Sequence, residues 1–234
     1  LDYHKNLKNY LKAKLYLFNS LLKKKAFAII DTDIPEYYLL KKICDKRKIK
    51  ILSFGSKGNS IKLISHAFVG KQQLIKINFL NNIYNIKVNL IGDFQINNLF
   101  AAMLGSYLSI KDPNKIIKTL PKINSANGRM QYVGSKKKSV VVVDYAHTPD
   151  ALKKSIITLA KQFSKKVDVV FGCGGNRDKG KRYKMGKIAN QFGSKIYLTN
   201  DNPRFENPSS IIKQIKNGCP RSRVILDRKV AIKT

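Results

Sequence analysis

The sequence predicts an α/β fold whose second half is an open, mostly parallel sheet, and three observations predict it. From Ser139 onward, apolar β-branched runs alternate with helix-length segments in the order β-α-β-α-β-α-β, which is how crossover helices join parallel strands. Two of those helices open on a capping residue followed by proline, Thr148-Pro149 and Asn207-Pro208, the chemistry of a helix start. The chain has 234 residues and is 43% hydrophobic, enough to bury the core of one large domain or two modest ones.

In chain order, residues 6–24 predict a helix with an apolar stripe at Leu7, Leu11, Phe18 and Leu21. A short strand at 26–30, a helix at 36–47 and a strand at 49–54 follow, then three strand-like runs at 61–68, 73–79 and 83–90. A long helix at 95–110 turns Ile96, Leu99, Phe100, Met103 and Tyr107 to a core. Asp112-Pro113 caps a shorter helix that ends near Leu120-Pro121, and Asn127-Gly128 signals a tight turn. From Lys137 the texture changes, which places a domain boundary near Gly134 and predicts domains at 1–133 and 134–234. The Val-rich run 139–144 predicts a continuously buried strand ending in an acid. The helix after Thr148-Pro149 should turn Leu152, Ile156, Leu159 and Phe163 inward. Strands at 167–171 and 195–199 flank a helix near 182–191. The helix after Asn207-Pro208 stops at Asn217-Gly218, ahead of Pro220, and a last strand starts at 224–226.

No apolar run approaches the roughly 20 residues of a membrane span, and no basic-then-apolar leader opens the chain. A soluble protein without a membrane partner is therefore expected. The start at Leu1 rather than Met suggests missing upstream sequence. Cys44, Cys173 and Cys219 lie far apart without metal-ligand spacing, which points to a reduced, cytoplasmic protein. The formal net charge of +32 admits a basic nucleic-acid-binding protein as a competing reading. Against it, the excess is mostly Lys, spread along the chain and accompanied by Asn and Ile, as an AT-rich genome would encode. Clusters such as Lys136-Lys137-Lys138 read as solvated turns. No nucleic-acid partner is expected, and an anionic substrate would also be drawn by this field.

Three predicted strand ends in the second half carry polar loops: Asp144 to Asp150, Gly172 to Arg182, and Asn200 to Arg204. Parallel sheets bind ligands beyond the carboxyl ends of their strands, so the three loops can converge on one ligand. In the second loop, glycines would let backbone N–H groups approach an anion, with Arg177, Lys179, Lys181 and Arg182 supplying charge. No G-K-[ST] follows, so it is not a Walker A loop. Lys14 sits inside the first helix's apolar stripe. It either snorkels or is buried and must be paired or modified; periodicity alone favours snorkelling. His147, close to Asp144 and Asp150, admits a catalytic, metal or hydrogen-bonding role.

Together, Leu1-Asp2-Tyr3-His4, Ala13-Lys14, Gly92 to Asn98, Gly128-Arg129-Met130, Asp144 to Asp150, Gly172 to Arg182 and Asp201 to Arg204 resemble the Mur ligases, in order and spacing across essentially the whole chain. The resemblance implies part of a central ATPase domain over 1–133, followed by an incomplete Rossmann-like, mostly parallel C-terminal domain over 134–234. It also implies that the family's phosphate loop lies before Leu1 and its late G-H-E segment beyond Thr234, so this stretch alone is expected to be inactive. The implied activity is ATP-dependent amide-bond formation in peptidoglycan precursor synthesis: a D-glutamyl carboxylate is phosphorylated and the acyl phosphate is attacked by an amine. The implied cofactors are ATP and Mg²⁺, the implied substrates UDP-N-acetylmuramoyl dipeptide and meso-diaminopimelate, and a monomer is expected.

By the same resemblance Lys14 is carbamylated and binds Mg²⁺ through the carbamate, reversing the reading from periodicity. Asn98 and Arg129 contact adenine, Asp144 holds the ribose and His147 belongs to the ATP site; Gln95 stands where many relatives have Asn. Arg177, Asp201, Asn202 and Arg204 hold meso-diaminopimelate. The D-N-P-R sequence accompanies that amino acid in the family, and lysine-adding members differ at the arginine, which makes Arg204 the implied selector. The competing enzyme readings are a lysine-adding member and a folylpolyglutamate synthase.

Overall fold

The computed structural model describes residues 6–136 and 139–234 and divides into two units, Leu1–Ser125 and Ala126–Thr234. The Leu1-Asp2-Tyr3-His4 motif and Lys137-Lys138 lie outside the described residues.

In the first unit, Asn6 caps α1 (Leu7–Tyr16) by accepting from the Asn9 N–H at 2.8 Å. The helix runs on into a π-helical turn, Leu17–Leu21, closed by Leu22 N–H to the Leu17 carbonyl. Arg47 donates to the turn's carbonyls at Phe18 (2.7 Å) and Ser20 (3.4 Å). The expected stripe is corrected here. Leu7 and Leu21 are 72% and 60% exposed, while Leu15, Phe18 and Leu22 pack on Ala28, Ile30, Leu40 and Cys44. A π turn holds more residues than 3.6 per turn, so a stripe extrapolated through it drifts off the packed face.

Parallel strands β1 (Phe27–Asp31) and β2 (Lys50–Gly55) are joined through α2 (Tyr37–Arg47). β3 (Ile61–Val69) runs parallel to β2, and β4 (Gln72–Phe79) and β5 (Asn82–Val88) continue antiparallel, giving the order β1-β2-β3-β4-β5. β4 alternates as a one-sided strand should, with Gln73, Ile75, Ile77 and Phe79 buried. The buried Gln73 amide is satisfied by the Leu90 (2.8 Å) and Gly92 (3.0 Å) carbonyls. α3 (Phe94–Ile110) lays Ile96, Leu99, Phe100, Met103 and Leu104 on this core. Asp112 caps α4 (Pro113–Thr119), accepting from Lys115 N–H at 3.0 Å.

In the second unit, β6 (Gln131–Lys136) and β7 (Ser139–Val143) form a two-stranded antiparallel sheet. β8 (Val169–Phe171), β9 (Ile196–Leu198) and β10 (Arg223–Val224) form a separate parallel sheet in the order β10-β9-β8. The helices α5 (Pro149–Phe163), α6 (Gly180–Phe192), α7 (Pro208–Lys216) and α8 (Arg228–Lys233) alternate with these strands. Leu152, Ile156, Phe171, Met185, Leu198 and Ile215 share its core.

Two expectations change here. The sequence predicts a buried β7, yet Val140, Val141 and Val143 are 37%, 47% and 46% exposed, and β7 pairs with β6 instead of β8. An apolar β-branched run specifies a strand but not its partner. On α5, Leu152 and Ile156 are buried as expected, but Leu159 and Phe163 are only half-buried.

Candidate functional site

In the second unit, the loops after β8 and β9 lock into one another, and their glycines are the reason they can. A Cβ on Gly172 would lie 2.1 Å from the Thr199 carbonyl oxygen, and one on Gly175 only 1.8 Å from that of Pro203. Gly175 N–H donates to the Asn202 carbonyl at 2.8 Å. The expectation that these glycines bare N–H groups to an anion is corrected at Gly175: its N–H is used by the facing loop, and close backbone approach is what excludes a side chain.

Arg182 is corrected likewise. It is fully buried, not part of a charged rim, and donates to Glu206 through Nη1 and Nη2, both at 2.9 Å. Nη1 also meets Gln214 at 2.9 Å and Nη2 the Gly174 carbonyl at 3.3 Å. The Arg182 hydrogen bonds, followed by the Asn176 N–H, pull the Glu206 carboxyl from its ordinary 4.5 down to about 2.

Two residues across this seam have left-handed backbones, Asn176 (φ 48°) and Arg204 (φ 50°). For a non-glycine residue that conformation costs on the order of 1 kcal/mol, so the surroundings must enforce it. Asn202 Oδ1 accepts from Arg204 N–H (3.1 Å), Asn176 Oδ1 from Phe205 N–H (3.1 Å) and the Pro203 carbonyl from Glu206 N–H (3.0 Å). The Asn176 N–H donates in turn to Glu206. Arg204 is exposed but tethered, with Nη1 donating to the Gly175 carbonyl at 2.6 Å. Asp201 is exposed and accepts from Asn202 N–H at 2.8 Å. Arg177 and Asn202 are exposed on the same loops. The structure thus brings Arg204, Asp201 and Asn202 against the glycine-rich loop that carries Arg177.

The loop after β7 is organised by Asp144. One carboxylate oxygen accepts from Ala146 N–H (3.0 Å) and the Ser155 hydroxyl (2.9 Å), the other from Met130 N–H (2.9 Å). Asp144 thereby ties Met130, its own loop and α5 together. Beside it, the Arg129 guanidinium lies 4.8 Å from the Tyr145 ring centroid, and the Tyr145 and His147 rings are 5.1 Å apart. His147 Nδ1 is 3.1 Å from the Tyr145 carbonyl. Arg129, Tyr145 and His147 are all exposed and form a cation–aromatic cluster open to solvent, the two rings tilted at 58° to each other. Lys181 Nζ donates to the His147 carbonyl at 2.9 Å, joining this loop to the start of α6.

In the first unit, Lys14 is exposed, with Nζ 5.4 Å from the Tyr10 ring centroid. Asn98 is exposed on α3, its amide donating to Gln95 at 2.9 Å. Sequence reasoning missed an acidic cluster at the ends of β1 and β2. Asp31 accepts from Asn97 (3.0 Å) and from Asp33 N–H (2.9 Å), and Asp33 accepts from Ser56 N–H (2.9 Å) and its hydroxyl. Burial and then the neighbouring Asp33 push the Asp31 carboxyl up. Burial also raises Asp33, but the Ser56 hydrogen bonds outweigh it, and the net shift is downward. The D-x-D at a predicted strand end was the available signal. Sequence reasoning also passed over Glu206 and gave Tyr145 no role at the site. Among the described residues, no group of three or more His, Cys, Asp or Glu could hold a metal ion, and no helix is long and apolar enough to cross a membrane. Burial pushes the Cys173 thiol up to about 11, which disfavours the thiolate at neutral pH.

Residues 1–105 match the Mur ligase middle domain, and residues 128–234 match the Mur ligase, glutamate ligase domain. The UDP-N-acetylmuramoyl-L-alanyl-D-glutamate–2,6-diaminopimelate ligase of Rickettsia bellii is 41% identical over 237 residues, covering all of this chain and 49% of the relative. The chain therefore spans about half the length of the curated relatives it matches. A solved structure of a UDP-N-acetylmuramoyl-L-alanyl-D-glutamate–2,6-diaminopimelate ligase superposes with a TM-score of 0.62 at 32% identity, covering 97% of this chain and 48% of that one. The folylpolyglutamate synthase of Thermotoga maritima gives a TM-score of 0.73 at 16% identity, over 92% of this chain and 51% of that one, which is a likeness of fold alone.

Proposed function

The chain belongs to the Mur ligase family, and from that premise we propose that it is part of a ligase joining meso-diaminopimelate to UDP-N-acetylmuramoyl-L-alanyl-D-glutamate in peptidoglycan precursor synthesis. The observation that carries the choice of amino acid is the state of Arg204. It is held in a left-handed backbone and tethered to the glycine-rich loop, which holds in place a guanidinium of the planar kind that pairs with a carboxylate. Arg177, Asp201 and Asn202 sit on the same interlocked loops, and we assign them to the amino acid with Arg204. The basic charge of the chain suits the two polyanionic substrates, ATP and UDP-N-acetylmuramoyl-L-alanyl-D-glutamate.

ATP supplies the phosphoryl group that activates the glutamyl carboxylate, and Mg²⁺ the positive charge that offsets it. The exposed Arg129–Tyr145–His147 cluster offers cationic and aromatic surface to a base, which supports Arg129 and His147 as nucleotide contacts. Asp144, between that cluster and α5, is assigned to the ribose. Asn98 is assigned to adenine on the family resemblance. Mg²⁺ needs oxygen ligands. The exposed Lys14 amine is open to CO₂, and a carbamate there would supply such ligands. Composition draws the domain boundary at Gly134, inside β6. The pairing of β6 with β7 supports drawing it instead ahead of that hairpin. Cytoplasmic location and a monomeric state complete the proposal.

The test is Arg204→Ala in the full-length ligase, assayed with meso-diaminopimelate and with L-lysine. Loss of a charged, two-point hydrogen bond is expected to lower diaminopimelate use by about 10- to 100-fold, with little change for lysine. Unchanged diaminopimelate use would overturn the assignment.

A further inference from the structure

Arg228 opens α8, yet its side chain reaches the end of β9, where the loop carrying Asp201 to Arg204 starts. The strand pairing of β9 ends at Leu198. Just beyond it, the buried Thr199 hydroxyl (3.1 Å) and the Asn200 N–H (3.2 Å) both donate to the Leu226 carbonyl. The Asn200 carbonyl has a guanidinium as its partner: Arg228 Nε donates to it at 2.8 Å. Arg228 Nη2 lies 4.0 Å from Asp201 Oδ1. Nε and Nη2 share one edge of the planar guanidinium, so a single side chain addresses both groups.

The Asp201 oxygen that faces Arg228 is also the one that accepts from the Asn202 N–H at 2.8 Å, and Asn202 Oδ1 accepts in turn from the Arg204 N–H at 3.1 Å. Short polar side chains that accept from nearby backbone N–H groups fix a turn, and this one holds Arg204 at φ 50°. Resting on the reading of Arg204 as the amino-acid contact, we propose that Arg228 is a positioning residue for the amino-acid subsite. It holds the Asn200 carbonyl and the Asp201 carboxylate, and through them the turn that presents Arg204. By giving Asp201 a cation of its own, it also keeps that carboxylate from competing with the ligand for Arg204. The Arg228 and Asp201 side chains are both half-exposed, where an ion pair adds little to global stability. Its effect therefore belongs to ligand binding, and Arg228 touches neither the reacting atoms nor the amino acid.

The experiment is Arg228→Ala in the full-length ligase, with Arg228→Lys, Asp201→Asn, the Arg228→Ala/Asp201→Asn pair and Arg204→Ala alongside. Arg228→Ala is expected to raise KM for meso-diaminopimelate about threefold to tenfold, the scale of one hydrogen bond. kcat, KM for ATP and Tm should stay near wild type. Arg228→Lys keeps the charge but not the two-point edge, so its KM should fall between the two. If Arg228 acts through Asp201, its removal raises KM less in the Asp201→Asn background than in wild type. An unchanged KM for diaminopimelate in Arg228→Ala overturns the proposal. So do full additivity in the pair and a fall in Tm that accounts for the whole loss of activity. Arg204→Ala separates the two levels. If it leaves diaminopimelate use unchanged, the underlying reading has failed; if it lowers use while Arg228→Ala has no effect, only the role of Arg228 has failed.

Discussion

Arg182 and Glu206 meet at two points, Nη1 to Oε2 and Nη2 to Oε1, each at 2.9 Å, with the arginine fully buried. The pair joins the first turn of α6 to the loop before α7, and so clamps the Arg177 loop against the Arg204 loop. It also sets a pH dependence. The Glu206 carboxyl is held at about 2 in the folded chain against an ordinary 4.5. A carboxylate depressed on folding contributes stability that is fully present above its unfolded pKa and is lost as pH falls through the folded one. Stability is therefore expected to fall as pH drops from about 5 to about 2, with a shallower fall in Glu206→Gln. Urea midpoints measured across that range check this, and identical pH slopes for the two proteins would remove Glu206 as the source.

Gly175→Ala is expected to destabilise the chain by more than about 2 kcal/mol. The added Cβ would sit 1.8 Å from the Pro203 carbonyl oxygen, and backbone cannot yield as a flexible side-chain tip can. The control is Gly134→Ala, where nothing among the described residues lies within 4 Å and the change should stay within about 0.5 kcal/mol. Chemical denaturation of both variants decides the matter, and equal losses would mean that loop interlock is not what demands a glycine at 175.

How far the sequence speaks is visible in these same residues. α5 and α7 begin where Thr148-Pro149 and Asn207-Pro208 say they should, because cap and proline chemistry is local. The alternation in β4 likewise announces which side faces the core. What fails is information that lives in partners distant along the chain. Arg182 looks like one more cation in a basic loop until Glu206, 24 residues on, is seen to neutralise it. Gly175 looks like an anion cradle until Pro203 is found against it. The Val run of β7 has the composition of a buried strand, and only pairing reveals that it joins β6 at an exposed face. The candidate loops could be listed from strand ends, whereas their interlocking could not, since side-chain burial is decided by tertiary packing.

Asp144 separates structure from ligand binding. Its carboxylate takes three donors, from Met130, Ala146 and Ser155. Asp144→Ala strands all three and is expected to cost about 1–3 kcal/mol of stability. Asp144→Asn keeps an acceptor oxygen and should cost less. If the carboxylate also holds a ribose, both variants raise KM for ATP in the full-length ligase, including the one that remains well folded. A KM for ATP that changes only in step with stability would leave Asp144 a purely structural residue.

Lys14 is exposed, its amine 5.4 Å from the Tyr10 ring centroid, so truncating it should leave folding intact. The carbamate assignment then makes a demanding prediction. Lys14→Ala in the full-length ligase is expected to lose activity by at least about 100-fold, the scale of losing one charge-stabilising group at a reacting centre. Added short carboxylates such as acetate should restore part of that activity, because they return an anionic oxygen ligand without the side chain. Lys14→Arg should not be rescued by raising CO₂, since a guanidinium keeps its protons at working pH and cannot form the carbamate. Melting curves that match wild type, combined with lost and carboxylate-rescued turnover, would support the assignment; full turnover in Lys14→Ala would end it.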